Sequence, residues 1–245
     1  MNNTGKYIVF DADDTLWDCQ GHFERVMQHL YTMLEPWTDR ASAASELYAT
    51  EQANMPLLGY GTKAFTLSVM QTAMRVSRYE MPARQLSDLQ QRCYQLLQLP
   101  ATPLPEVEPT LRKLHEQGWR MAVFTKGELL DQELKLKRSG LMPYFDHVEI
   151  TSNKTEREFA MLCQKLNIAP AQMLMVGNSL RSDIAPALDI GAWGVHIPFA
   201  ITWELEFHDS ISHPRMRTIA HFGELLQLID GELLHDKNDE WSLGR

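Results

Sequence analysis

The chain has 245 residues, 44% apolar and 22% charged, the make-up of an ordinary globular protein, which excludes a disordered or fibrous one. At ~150 residues per domain the length suits one core domain plus an insert. With 23 basic and 32 acidic residues the formal charge is −9, which repels polyanions and argues against nucleic acid as a partner.

The first ten residues, MNNTGKYIVF, contain one lysine and a short apolar run that stops at Asp11. That run is too short for a signal peptide, and no window approaches the ~18 consecutive apolar residues of a membrane span. A cytoplasmic protein with no membrane partner is expected. The run Lys6 to Phe10 reads as a buried strand that delivers Asp11, Asp13 and Asp14. Residues 18–99 contain no convincing strand but carry apolar side chains at helical spacing. Val26, Met27, Leu30, Tyr31 and Leu34 form one such face, and Leu86, Leu89, Cys93, Leu96 and Leu97 another. An insert of three or four helices follows from this pattern. Pro100, Pro103, Pro105 and Pro109 then predict a stiff hinge that is neither helix nor central strand.

Beyond the hinge, β-rich runs at 120–125, 147–151, 173–177 and 193–197 alternate with helical patterns at 107–117, 128–138, 155–167 and 181–190. Gly118, Gly140, Asn167 and Gly191 supply the expected helix ends. Such alternation implies a parallel sheet covered by helices on both faces. The tail after Gly231 is polar, with Trp241 near its end, and is expected to be loosely held. Cys19, Cys93 and Cys163 lie about seventy residues apart with no C-x-x-C spacing, so reduced, buried thiols are expected rather than a disulfide framework or a zinc cluster.

In an open parallel sheet ligands bind beyond the carboxyl ends of the strands. Asp11 and Asp13, Thr125, Lys154 and the segment Gly177–Asp183 all fall at such ends, and they converge on one crevice if the strands are as read. Paired carboxylates there suit a hard cation such as Mg²⁺, which attracts a phosphate. A carboxylate is also a nucleophile able to form an acyl phosphate, provided a second group handles the protons. Alternate residues 11 and 13 of an extended segment face the same side and could divide those roles. Thr125 could hydrogen-bond the transferring group, and Lys154 could neutralise its charge. The bland alternatives are a turn or helix cap for the aspartates, an exposed lysine before a helix, and an ordinary strand-to-helix turn at Gly177. Ser179 and Arg181 read as a solvated helix start. His208, His213 and His221 cluster late in the chain but lack metal-ligand spacing. Trp17 and Trp37 read as packing at the hinge or insert, and the 13 methionines as adaptable packing.

Four segments, Phe10-Asp11-Ala12-Asp13-Asp14-Thr15-Leu16, the strand ending in Thr125, the isolated Lys154, and Gly177 to Asp183, together resemble the four motifs of the haloacid dehalogenase-like hydrolase superfamily. The helical insert is similar to that family's C1 cap. The resemblance implies a three-layer α/β/α Rossmann-like core of residues 1–16 and 105–245, with a helical cap at 17–104. It implies Asp11 as nucleophile and metal ligand, and Asp13 as general acid and base that also ligates the metal through its carbonyl. Thr125 and Lys154 would hold the phosphoryl group, with Asn178 and Asp183 completing the metal site. True dehalogenases of the superfamily look different at the second acidic position, so Asp13 favours phosphate chemistry. Three positions depart from the family pattern. Asp14 stands where glycine is usual, although aspartate tolerates left-handed backbone angles. Asn178 replaces an acidic residue, and Lys126 follows Thr125 where a small or amide residue is common, adding positive charge near the phosphate or facing solvent. The expected protein is a Mg²⁺-dependent phosphohydrolase acting on a small phosphorylated metabolite, as a monomer or weak homo-oligomer. A phosphomutase on the same core and a non-catalytic phosphate or nucleotide sensor are the alternatives.

Overall fold

The computed structural model describes residues 5–231 apart from 202, 207 and 209; the polar tail with Trp241 lies outside the described residues. Its centre is a six-stranded sheet of β1 (Tyr7–Phe10), β2 (Arg120–Lys126), β3 (His147–Thr151), β4 (Met173–Gly177), β5 (Trp193–His196) and β6 (Met216–Thr218). The spatial order is β3-β2-β1-β4-β5-β6, and every neighbouring pair is parallel. The strand order reverses beside β1, so the crevice outside β1 and β4 is the point where open α/β sheets take their ligands.

Alternation along β1 builds the three layers. Ile8 and Phe10 point into one core with Met121, Val123, Leu174 and Val176, closed by Val107, Leu111 and Leu114 of α5 (Val107–Glu116), Leu136 of α6 (Leu129–Ser139) and Leu225 and Ile229 of α9 (Glu224–Asp230). Tyr7 and Val9 point the other way, with Phe124 and Met175, under Phe159, Leu162 and Cys163 of α7 (Glu156–Leu166). Burial on both faces explains the continuous apolar runs of the inner strands. The short α8 (Ala185–Asp189) covers the same side through Ala187.

Between β1 and α5 run four helices, α1 (Gln20–Leu34), α2 (Arg40–Leu58), α3 (Thr62–Val76) and α4 (Ala83–Leu96). They enclose a separate core: Val26, Met27, Leu30, Tyr31 and Leu34 of α1 are all buried there, as are Leu89, Cys93 and Leu96 of α4. Leu86 is only partly buried, as is Leu97 just past the helix. The chain enters and leaves this insert side by side, since the Leu104 N–H donates to the Leu16 carbonyl at 2.9 Å.

Several expectations need correction. Pro109 is not part of the hinge but the third residue of α5, where an N–H would have no intrahelical acceptor and proline is tolerated. The helix expected at 181–190 is a π-helical turn, Leu180–Ile184, followed by α8. Strand β6 was not foreseen: it is three residues long with an arginine at its centre, too short for a periodic signal. Helices α5, α6 and α7 lie within a residue or so of expectation, and Gly140 and Asn167 cap α6 and α7 in the left-handed conformation. All three cysteines are free and buried; burial pushes Cys93 and Cys163 up to about 11 and raises Cys19 well above its ordinary value.

Leu30, fully buried at the centre of the four-helix core, gives a direct test of that packing. Leu30→Ala is expected to cost about 2–5 kcal/mol of stability, read from the denaturant midpoint; a loss below ~0.5 kcal/mol, the size of a surface change, would contradict a packed core there.

Candidate active site

Asp11 follows β1 directly, and its N–H extends the sheet ladder to the Val176 carbonyl at 2.9 Å. This places its carboxylate beside the loop after β4. Lys154, three residues past β3, is buried and not the exposed lysine of the bland reading. Its Nζ lies 2.5 Å from Asp11 Oδ1 and 2.6 Å from Asp183 Oδ1. One buried ammonium is therefore shared by two buried carboxylates. Burial and the Asp183 charge push Asp11 up to about 7 against the pull of Lys154, and the two carboxylates hold Lys154 above its ordinary value despite its burial.

The loop after β4 is wound to aim Asp183 inward. Ser179 caps the π-helical turn by accepting from the Ser182 N–H, and Asp183 Oδ2 accepts the Ser179 N–H at 3.0 Å. Ser179 is thus a buried part of the loop rather than a solvated helix start, whereas Arg181 is exposed. Thr15 clasps the loops after β1 and β4: its hydroxyl accepts the Asn178 N–H at 3.1 Å and lies 3.1 Å from Asp11 Oδ2 and 3.2 Å from Asn178 Oδ1. Asp14 has φ of 63°, so aspartate does occupy the left-handed position where the family pattern has glycine. Its Oδ1 accepts the N–H groups of Cys19 and Gln20, both at 2.8 Å, which turns the chain into α1.

Asp13 faces the same crevice but is held by residues that sequence reasoning missed. Lys135 Nζ lies 2.8 and 2.6 Å from its two oxygens. Gln132 Nε2 donates at 2.8 Å and Trp17 Nε1 at 2.7 Å, so Trp17 does more than pack. Burial would raise Asp13, but Lys135 and these hydrogen bonds hold it below the ordinary carboxylate range. Gln132 and Lys135 sit at i and i+3 on α6, and the only signal of their role is that shared face. Behind them Asp131 Oδ2 lies 3.9 Å from Lys135 Nζ and accepts from the Thr62 hydroxyl of α3 at 2.8 Å.

A cavity of about 170 Å³ opens onto this cluster, lined by Asp11, Asp13, Thr125, Lys154, Asn178 and Asp183 and roofed by residues of α1, α2 and α3. All seven residues expected to form the site, Lys126 included, line it. Thr125 is buried and lines the cavity. Lys126 is committed elsewhere: its ammonium pairs with Glu206, contacts Ser182 Oγ at 2.6 Å, and stands 3.9 Å from the centre of the Tyr60 ring. Glu206, from the segment after β5, was also not foreseen. The late histidines do not gather: His221 pairs with Glu106 and Glu224, and His213 accepts from the Arg215 N–H. Among the described residues no three His, Cys, Asp or Glu side chains form a metal cluster; the oxygen donors at the strand ends are the Asp11 and Asp183 carboxylates and the Asn178 amide, with the Asp13 carboxylate taken up by Lys135, Gln132 and Trp17.

Residues 6–191 match the haloacid dehalogenase-like hydrolase family, and the chain belongs to it. It is 24% identical to a glyceraldehyde 3-phosphate phosphatase of Methanopyrus kandleri over 198 residues, 78% of this chain and 83% of that one. It is 23% identical to the N-acylneuraminate-9-phosphatase of Homo sapiens over 202 residues, 75% of this chain and 78% of that one. Matches to some other curated relatives are shorter, down to 39% of the relative's length. Among solved structures it resembles a haloacid dehalogenase-like family hydrolase from Xanthomonas campestris, with a TM-score of 0.79, 29% identity and coverage of 88% and 86% of the two chains. The enzyme is thus a hydrolase whose curated relatives are phosphatases.

Two measurements probe the local geometry. A Cβ on Gly177 would stand 2.3–2.7 Å from the Asp183 side chain, which cannot yield without leaving Lys154, so Gly177→Ala should lower stability by about 1–3 kcal/mol, seen in thermal melts; an unchanged melt would show that the loop relaxes freely. Asp14 is pushed up to about 7 by burial, against two backbone hydrogen bonds, from an ordinary 3.8. The folded protein keeps that proton to higher pH than the unfolded chain, so this residue's contribution to stability falls as pH rises from about 4 to 7. Asp14→Asn keeps the turn and the acceptor without that slope. The urea midpoint of wild type should therefore drop relative to the variant across this window, and a pH-independent difference would contradict the shift.

Proposed function

We propose that this enzyme hydrolyses a small phosphomonoester through an aspartyl-phosphate on Asp11, with Mg²⁺ as cofactor. The observation that carries the reading is the single Lys154 ammonium set between Asp11 and Asp183 at the carboxyl ends of β1 and β4. Such a group orients the nucleophile and offers positive charge to an incoming phosphate. The named activities of the phosphatase relatives support the same class of substrate.

The donors fit a hard divalent cation. Two buried carboxylates face one ammonium, an amide oxygen stands beside them, and the whole set is oxygen. Asp11, Asp183, Asn178 and the Asp13 carbonyl would hold Mg²⁺, which when bound supplies charge neutralisation for the phosphate. Asn178 in place of a third carboxylate makes the set less anionic. Asp11 attacks phosphorus, forming its O–P bond as the ester O–P bond breaks, and the departing alcohol oxygen takes its proton from the minor, protonated form of Asp13, a proton that Asp13 first draws from solvent against the pull of Lys135. In the second half Asp13 takes a proton from water, which attacks the acyl phosphate and frees Asp11. Lys135 favours ionised Asp13, the state that the second half requires. Thr125 donates to a phosphoryl oxygen, and Lys154 offsets charge on nucleophile and phosphate. Lys126 adds its charge at the rim, tempered by Glu206. The helices over the cavity act as a cap that keeps bulk water out during transfer.

Phosphate release from p-nitrophenyl phosphate should require Mg²⁺ and disappear in Asp11→Asn, and Lys154→Ala should lose at least ~10²-fold. Release at the wild-type rate from Asp11→Asn would overturn the nucleophile assignment. Ligand binding without turnover in the wild type would favour a sensor, and an isomerised phosphosugar in place of free phosphate would favour a mutase.

A further inference from the structure

The insert's wall of the cavity carries no lysine or arginine. Its contribution is apolar, aromatic or neutral, Phe23, Met27, Tyr60 and Phe65 among it, with one charged side chain, Glu51 of α2. Among the described residues the cavity is lined by seven carboxylates and three lysines, and each lysine already faces a carboxylate: Lys154 faces Asp11 and Asp183, Lys135 faces Asp13, and Lys126 faces Glu206. A substrate with a second anionic group would meet no uncommitted cation among the described lining residues, and burying that group unpaired is costly.

Glu51 is the contrary case. Only 8% of it is exposed, yet the one hydrogen bond its carboxylate makes to a described residue is a long one, 3.4 Å from Trp203 Nε1. Asn54, its neighbour on the same wall, is engaged with Ser68 and Gln71. A buried acceptor left with spare capacity beside a cavity calls for a donor from the ligand. Burial, with Glu204 adding repulsion, pushes Glu51 up to about 7, as expected of a carboxyl with no cation beside it.

We infer that Glu51 selects the substrate: the phosphomonoester taken by this enzyme has an alcohol part with no second anion that presents a hydroxyl or ammonium donor to the Glu51 carboxyl. The inference rests on the phosphatase reading and extends it to the leaving group. It separates this chain from a phosphatase for substrates that carry a carboxylate or a second phosphate. Hydroxyl and ammonium share the donor chemistry, and the amide of Glu51→Gln tells them apart, because it still accepts from a hydroxyl but offers no charge to an ammonium.

The test is kcat/KM of wild type, Glu51→Gln and Glu51→Leu, each checked by melting, on p-nitrophenyl phosphate, glycerol 3-phosphate, phosphoethanolamine and phosphoglycolate. Wild type should prefer glycerol 3-phosphate or phosphoethanolamine over phosphoglycolate by at least tenfold. In Glu51→Leu the ratio of the preferred substrate to p-nitrophenyl phosphate should fall at least tenfold. Glu51→Gln should keep most of that ratio for a hydroxyl substrate and lose it for an ammonium one. The inference is overturned if phosphoglycolate is the best of the three metabolites, or if Glu51→Leu scales all four substrates by one factor. With p-nitrophenyl phosphate still turned over, those results sink the inference alone; no turnover of any compound by wild type removes the phosphatase reading and this inference with it.

Discussion

Two carboxylates from different loops, Asp11 and Asp183, are buried around one ammonium, that of Lys154. Neither carboxylate could be buried beside the other without a cation between them, and that cation costs several kcal/mol to dehydrate unless its partners are fixed. The surroundings are the means of fixing them. The sheet sets β1 next to β4, Gly177 leaves room for the Asp183 side chain, Ser179 holds the π-helical turn, and Thr15 ties the loops after β1 and β4 to each other. Local irregularity in this loop is thus what lets two like charges point the same way.

The cavity is divided electrostatically along the same line. On the sheet side every lysine is matched to carboxylates, and with six carboxylates to three lysines among the described residues the charge there is dense and net anionic. On the side of the four helices charge is nearly absent. The Thr62–Asp131 hydrogen bond and the Asp131–Lys135 approach join the two sides directly, so the helix bearing Thr62 is tied through one carboxylate to the ammonium that controls Asp13.

Much of this was legible in the sequence because its causes are local. Continuous apolar runs marked the inner strands, the i, i+3, i+4, i+7 spacing marked the buried face of α1, and Asp11, Thr125, Lys154 and Asp183 sit at strand ends that topology brings together. What escaped has non-local causes. Lys135 and Gln132 look like an ordinary polar helix face until α6 packs beside the loop after β1. Glu206 lies in a segment with no periodicity and gains meaning only through Lys126. Strand β6 exists because β5 offers it an open edge, not because three residues specify it. Pro109 read as part of a break because proline is a poor helix former everywhere except the first turn, where it landed.

The three cysteines sit in three different places: Cys93 in the core of the four helices, Cys163 under the sheet, and Cys19 on the cavity wall 3.9 Å from Lys135 Nζ. Burial keeps all three protonated at neutral pH, and none has a disulfide partner. Burial makes all three slow to react with alkylating reagents in the folded protein, and local opening raises the reactivity of each. The chain thus carries three intrinsic reporters of local breathing, spaced so that loosening of the helical insert, the sheet and the crevice at the strand ends register as separate labelling rates.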